Sequence, residues 1–216
     1  MIRVLIADDE WMVRSMLRTI MESADDITVT GEAADGAEAV SLARSTRPDV
    51  VLLDIRMPRV DGLDAARRLR GLVDPPKVVV LTTFDLDEYV DTALRAGAVG
   101  FLLKDATAND MLTAVRSAAG GDAMLSPRIT RRLLTRFTEP VTGPRADAER
   151  RLEVLTGKER EVLVAVARGL SNVDIAAEFH LSEATVKTHV SRILAKLACT
   201  NRVQAALLAH RAALLD

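Results

Sequence analysis

Four short apolar runs in the first half of the chain constrain its fold more than any other feature. They are IRVLIA at 2–7, VVLL at 50–53, KVVVL at 77–81 and VGFLL at 99–103. Runs this short, rich in β-branched residues and apolar at consecutive positions, fit strands buried on both faces of a parallel sheet. A further strand is expected near 27–33. Helical patterns lie between the strands, near 10–23, 36–46, 62–71, 86–96 and 107–119. In the first of these Val13, Met16, Leu17, Ile20 and Met21 recur at helical spacing. Asp85 with Glu88 and Thr107 with Asp110 read as N-caps, and Gly97, Gly120 and Gly121 as helix stops. Parallel strands need crossover helices, so five β/α repeats predict a doubly wound α/β domain with a parallel five-stranded sheet.

The C-terminal ends of parallel strands share one edge, where open α/β proteins bind ligands. Each of the four runs leads there into a residue with chemistry: Asp8 and Asp9, Asp54, Thr82, and Lys104. Three carboxylates, a hydroxyl and an ammonium on one edge describe a Mg²⁺ site beside a nucleophile. An ionised Asp54 can attack phosphorus in line. Transfer then mainly needs the charge on the phosphoryl oxygens neutralised. Mg²⁺ bound by Asp8, Asp9 and Asp54 fits that need. Lys104 would pair with one phosphoryl oxygen and Thr82 would donate to another. Trp11, the single tryptophan, follows Asp9 by two residues and is expected partly exposed beside this pocket, so its fluorescence should report Mg²⁺.

The rest of the chain differs. The net charge of −2 hides an asymmetry, with 14 Lys+Arg against 20 Asp+Glu over 1–118 and 15 against 11 over 119–216. Two domains with different partners follow: 1–121, a linker at 122–150, and 151–216. Ser126-Pro127 opens a short linker helix over 126–137, before a Pro- and Gly-containing flexible stretch. From Leu152 onward only helical patterns appear. One helix near 157–168 stops at Gly169, a second starts after Ser171, and a turn through His180 and Leu181 reaches the cap Ser182. In the helix that follows, Val186, Val190, Ile193, Leu194 and Leu197 form an apolar stripe opposite Lys187, Thr188, Ser191, Arg192 and Ala195. By periodicity alone that polar face is a solvated face or a major-groove reader. His180 and Cys199 lack ligand spacing and read as turn or packing residues. With a single cysteine, no long apolar stretch and no signal-peptide start, a cytoplasmic, non-membrane protein is expected.

ADDE at 7–10, LLDIRMPRVDG at 52–62, LTTFD at 81–85 and FLLKD at 101–105 resemble the receiver domain of bacterial two-component response regulators. LTGKEREVL, ARGLSNVDIA and LSEATVKTHVSRILAKL resemble the LuxR-type helix-turn-helix of NarL/FixJ regulators. The resemblance implies a flavodoxin-like receiver plus an all-α DNA-binding domain. It makes Asp54 the phosphoacceptor, charged by a sensor histidine kinase. It places Mg²⁺ on Asp8, Asp9, Asp54 and the main-chain carbonyl of Arg56, and the phosphoryl group on Thr82 and Lys104. Thr82 and Phe101 become the switch pair, and Arg56 and Phe84 flank the phosphoryl and slow its hydrolysis. Contacts to double-stranded promoter DNA are implied for Lys187, Thr188, Ser191, Arg192, Lys196 and the Ser171–Asn172 turn. A homodimer would form through the helix at 201–214, with Val203, Ala206, Leu207, Ala209 and His210 on its face. No enzyme activity beyond slow autodephosphorylation is expected. One departure is Asp105 where many receivers have proline. Two rivals differ in outcome. A Mg²⁺-dependent phosphohydrolase would turn over phosphomonoesters, but Arg56 stands where a second catalytic acid would be. A constitutive DNA binder would ignore loss of Asp54.

Overall fold

The computed structural model describes residues 1–82, 89–122, 124–125 and 145–215. The chain divides into two compact units, Met1–Ser126 and Pro127–Asp216. The expected linker helix over 126–137 and the N-cap at Asp85 lie outside the described residues, as does Phe84.

In the first unit strands β1 Ile2–Ala7, β2 Ile27–Ala33, β3 Val50–Asp54, β4 Lys77–Thr82 and β5 Ala98–Leu103 alternate with helices. These are α1 Trp11–Glu22, α2 Gly36–Thr46, α3 Gly62–Arg70, α4 Val90–Ala96 and α5 Ala108–Gly120. With a sixth strand β6 at Met124–Leu125, all pairings are parallel and the strand order is β2-β1-β3-β4-β5-β6. The sixth strand, Met124–Leu125, is an addition to the five expected; two residues carry too little pattern to be read from sequence. Continuous apolarity has the predicted cause: β3 is buried along its whole length. Val4, Ile6, Val50, Leu52, Val79 and Leu81 pack with Leu17, Met21, Met111 and Val115 of α1 and α5. The other three helices contact one another in turn, α2 with α3 and α3 with α4.

Helix ends follow the local chemistry. Asp35 and Asp61 accept main-chain N–H bonds at the starts of α2 and α3, and Thr107 does so for α5. Gly97 and Gly121 close α4 and α5 in left-handed conformation, φ 105° and 87°. The order places β1 between β2 and β3, so the chain leaves β1 in one direction and returns to β3 on the other side. The crevice at this reversal lies beyond the ends of β1 and β3, where Asp8 and Asp54 stand.

The second unit is helical: α6 Arg145–Leu152, α7 Gly157–Ala167, α8 Asn172–Phe179, α9 Glu183–Lys196 and α10 Arg202–Arg211. Thr156 with Glu159 and Ser171 with Asp174 form capping boxes, and Ser182 accepts from the Thr185 N–H. His180 ends α8 at φ 54°, a turn role. Leu152, Val162, Leu163, Ile175, Val186, Val190, Ile193, Leu197 and Leu208 make one core. Among the described residues no helix is long and apolar enough to cross a membrane.

Candidate functional site

A cleft of about 250 Å³ opens at the C-terminal edge of the sheet, lined by Asp9, Glu10, Asp54, Ile55, Arg56, Thr82, Tyr89 and Lys104. β1 delivers Asp8 and Asp9, β3 delivers Asp54, β4 Thr82 and β5 Lys104. Asp8 is wholly buried at the base, and Asp54 and Thr82 are 5% and 6% exposed. Lys104 Nζ stands between the carboxylates, 2.7 Å from Asp8 Oδ2 and 3.3 Å from Asp54 Oδ2, with Glu10 Oε1 at 3.8 Å. Burial pushes the Asp54 carboxyl up to about 6, against the pull of Lys104 and with a further push from Asp8. Burial lowers the Lys104 ammonium, but its bonds and charge interactions with Asp8 and Asp54 outweigh that and raise it overall.

Asp54 needs a tight turn behind it. Asp61 caps α3, and the Gly62 N–H donates to the Ile55 carbonyl at 2.9 Å. A Cβ on Gly62 would fall 1.9 Å from the Asp54 carbonyl oxygen, so only glycine fits there.

The donor set suits a hard cation. Carboxylate oxygens of Asp8, Asp9 and Glu10 lie within 4.8 Å of one another. One ammonium faces these carboxylates and Asp54, leaving charge for a divalent ion to balance. Glu10 and Tyr89 were not expected in this cleft. Glu10 had a signal, as the third acid of the run after β1; Tyr89 follows no pattern that marks it. Phe101, on β5 beside Val80, is fully buried. Trp11 opens α1 and is 68% exposed, in line with the exposure expected of it.

In the second unit Lys187, Thr188, Ser191 and Arg192 share the solvent face of α9. Lys187 pairs with Glu183 at 2.9 Å, and the Thr188 hydroxyl donates to the Ala184 carbonyl. Two expected DNA contacts sit differently. Lys196 Nζ is bonded to the buried Glu159 at 2.7 Å. The Asn172 side chain is buried, with Arg202 Nη1 3.5 Å from its Oδ1. The face of α10 also needs correction: Val203 and Ala209 are buried inside the unit. That helix is apolar at most positions from 203 to 209, so periodicity could not choose its inner side.

Residues 4–116 match the family described as response regulator receiver domain, and residues 153–209 match bacterial regulatory proteins of the luxR family. The transcriptional regulatory protein LiaR of Bacillus subtilis is 40% identical over 98% of this chain and 98% of its own length. The nitrate/nitrite response regulator NarL of Escherichia coli is 38% identical over 96% and 94%. Among solved structures, the response regulator ChrA of a heme-sensing two-component system aligns with a TM-score of 0.54 at 38% identity, covering 99% of this chain and 98% of that one. The signal receiver domain of the response regulator NarL from Mycobacterium tuberculosis aligns with a TM-score of 0.54 at 38% identity, over 56% of this chain and 97% of that one.

Proposed function

The chain belongs to the two-component response regulators that join a receiver domain to a LuxR-type DNA-binding domain, and from that premise we propose that Asp54 accepts a phosphoryl group from a sensor histidine kinase and so controls binding to promoter DNA. The observation that carries this reading is the placement of Lys104 Nζ between Asp8 and Asp54 at the floor of an open acidic cleft. An Asp54 carboxylate oxygen forms the new P–O bond as the P–N bond of the donor phosphohistidine breaks in line, and the freed imidazole keeps the electron pair. Asp8, Asp9 and Asp54 with the Arg56 carbonyl would hold Mg²⁺, which would supply neutralisation of the phosphoryl charge. Lys104 then leaves Asp54 for a phosphoryl oxygen, and the Thr82 hydroxyl donates to another. Movement of Thr82, with Phe101 on the neighbouring strand, passes the change to the receiver surface.

DNA contact falls to Lys187, Thr188, Ser191 and Arg192 on the exposed face of α9, lying in a major groove as a dimer reads two half-sites. At the Ser171–Asn172 turn, phosphate would be met by main-chain N–H groups of the first turn of α8, since the Ser171 hydroxyl is bonded to Asp174 and the Asn172 side chain faces inward. Lys196 serves first to hold Glu159. Such a regulator works in the cytoplasm, where DNA is, and is not an enzyme beyond slow loss of its own phosphoryl group. The direct test is incubation with a small phosphoryl donor, such as phosphoramidate, and intact-mass analysis. One phosphoryl addition that requires Mg²⁺ and is lost in Asp54→Asn is expected. Addition that persists in Asp54→Asn would exclude this residue as acceptor. Steady turnover of a phosphomonoester would favour a hydrolase instead.

A further inference from the structure

The acidic turn after β1 is held by a cation that no cleft residue supplies. β1 pairs with β2 and β3 only as far as Ala7. Beyond it the Asp8 N–H still donates to the Ala33 carbonyl at 3.1 Å, but the main chain then leaves the sheet. The carbonyl of the wholly buried Asp8 therefore needs a donor from elsewhere, and that of the exposed Asp9 is open to one. Arg14, one turn along α1 from Glu10, reaches back to them: Nη1 is 2.7 Å from the Asp8 carbonyl oxygen and 3.2 Å from that of Asp9. Its other edge is fixed by β2, with Nε 3.3 Å from Glu32 Oε2. Glu32 Oε1 accepts from Arg18 Nε at 2.6 Å, and Arg18 pairs with Glu22 at 2.7 Å.

We propose that Arg14 is a positioning residue for the acidic turn, and that Glu32 holds Arg14 in place. The inference rests on reading Asp8 and Asp9 as Mg²⁺ ligands. Two consequences follow from the geometry. A carbonyl tied to a guanidinium is directed away from the cleft, which leaves the Asp8 and Asp9 carboxylates as the groups offered to the cation. The rigid fork also places a permanent positive charge behind three successive acids, Asp8, Asp9 and Glu10, and lessens their mutual repulsion before a metal arrives. Asp8 is fixed from the other side as well, since its Oδ1 accepts the Glu10 N–H at 3.0 Å. Groups that orient metal ligands through hydrogen bonds characteristically change metal affinity by about 10–100-fold when removed.

The test is calorimetric titration of the full chain with Mg²⁺, beside the melting temperature in chelator. Arg14→Ala is expected to weaken Mg²⁺ binding by about tenfold or more. Arg14→Lys should recover part of the loss, because an ammonium reaches one carbonyl but lacks the fork. Arg18→Ala, which leaves both carbonyl bonds in place, should bind Mg²⁺ as the wild type does even if its melting temperature falls. Should Arg14→Ala not fold, Glu32→Gln gives the answer through a severalfold weakening. Wild-type Mg²⁺ affinity in folded Arg14→Ala, or in Glu32→Gln, would overturn the inference and leave the phosphoacceptor reading standing. Absence of Mg²⁺ binding in the wild type would overturn both.

Discussion

Asp54 carries an electrostatic cost in the fold. Its carboxyl ionises near 6 in the fold against 3.8 in the open chain, chiefly because burial disfavours the charge. The folded state therefore holds the proton more tightly. This contribution to stability is complete below about pH 4 and disappears as pH rises through about 6. At neutral pH the ionised group is a burden that a phosphoryl group with Mg²⁺ would relieve. Asp54→Asn should thus raise stability in metal-free buffer at pH 7 by about 1–2 kcal/mol, less than the full shift implies because the cleft is open to water. The gain should vanish near pH 4, as melting temperatures across pH will show. Gly62→Ala acts on the same residue with the opposite sign. Its methyl group meets the Asp54 carbonyl, and a loss of about 2–3 kcal/mol is expected in denaturant titration. The strand-end residues Asp8, Asp9, Asp54, Thr82 and Lys104 were legible because each follows a buried strand and so must emerge at one edge. Glu10 and Tyr89 were not singled out. Glu10 stood in plain view beside Asp9, whereas Tyr89, which lines the cleft from just before α4, belongs to no sequence pattern that marks it.

At the scale of elements, α9 carries two lysines in different settings. The resemblance implies a phosphate contact for Lys196, and the structure also bonds it to Glu159 of α7. The bond to Lys196, then the Thr156 N–H, holds the Glu159 carboxyl down to about 2. A depressed folded value gives stability that is present above about pH 4.5 and is lost as pH falls toward 2. Glu159→Gln should cost about 1 kcal/mol at pH 7, with the difference closing in acid. The two lysines of α9 should then separate by assay. Lys187→Ala should reduce the slope of log affinity against log salt by about 1. Lys196→Ala should chiefly lower the melting temperature. Most element positions were legible, because apolar runs and caps are local signals; α6, which occupies 145–152 where a flexible linker is expected to 150, and the two-residue sixth strand were not. The inner face of α10 was not, because Ala205, Leu208 and Ala209 are selected from a nearly all-apolar helix by the shape of the core they enter.

At the scale of the molecule, two units with separate cores carry charge of opposite sign, an acidic receiver and a mildly basic DNA-binding unit. A phosphoryl group can shift such a protein only by the difference in its affinity for two states of the receiver. On the proposed reading the receiver pocket would supply that difference, since Lys104, shared by Asp8 and Asp54, would have to rearrange for a new anion to enter. Coupling free energies between sites commonly amount to 5–150-fold in affinity. Beryllofluoride with Mg²⁺ should therefore move the sedimenting species toward a dimer and tighten binding to a promoter fragment by about tenfold. Asp54→Ala should show neither change while keeping the basal affinity, because its DNA-binding face is untouched. A constitutive DNA binder would keep one sedimentation coefficient and one affinity throughout. Dimerisation without tighter binding would place the coupling in assembly alone, with each helix-turn-helix already free to bind before the signal arrives.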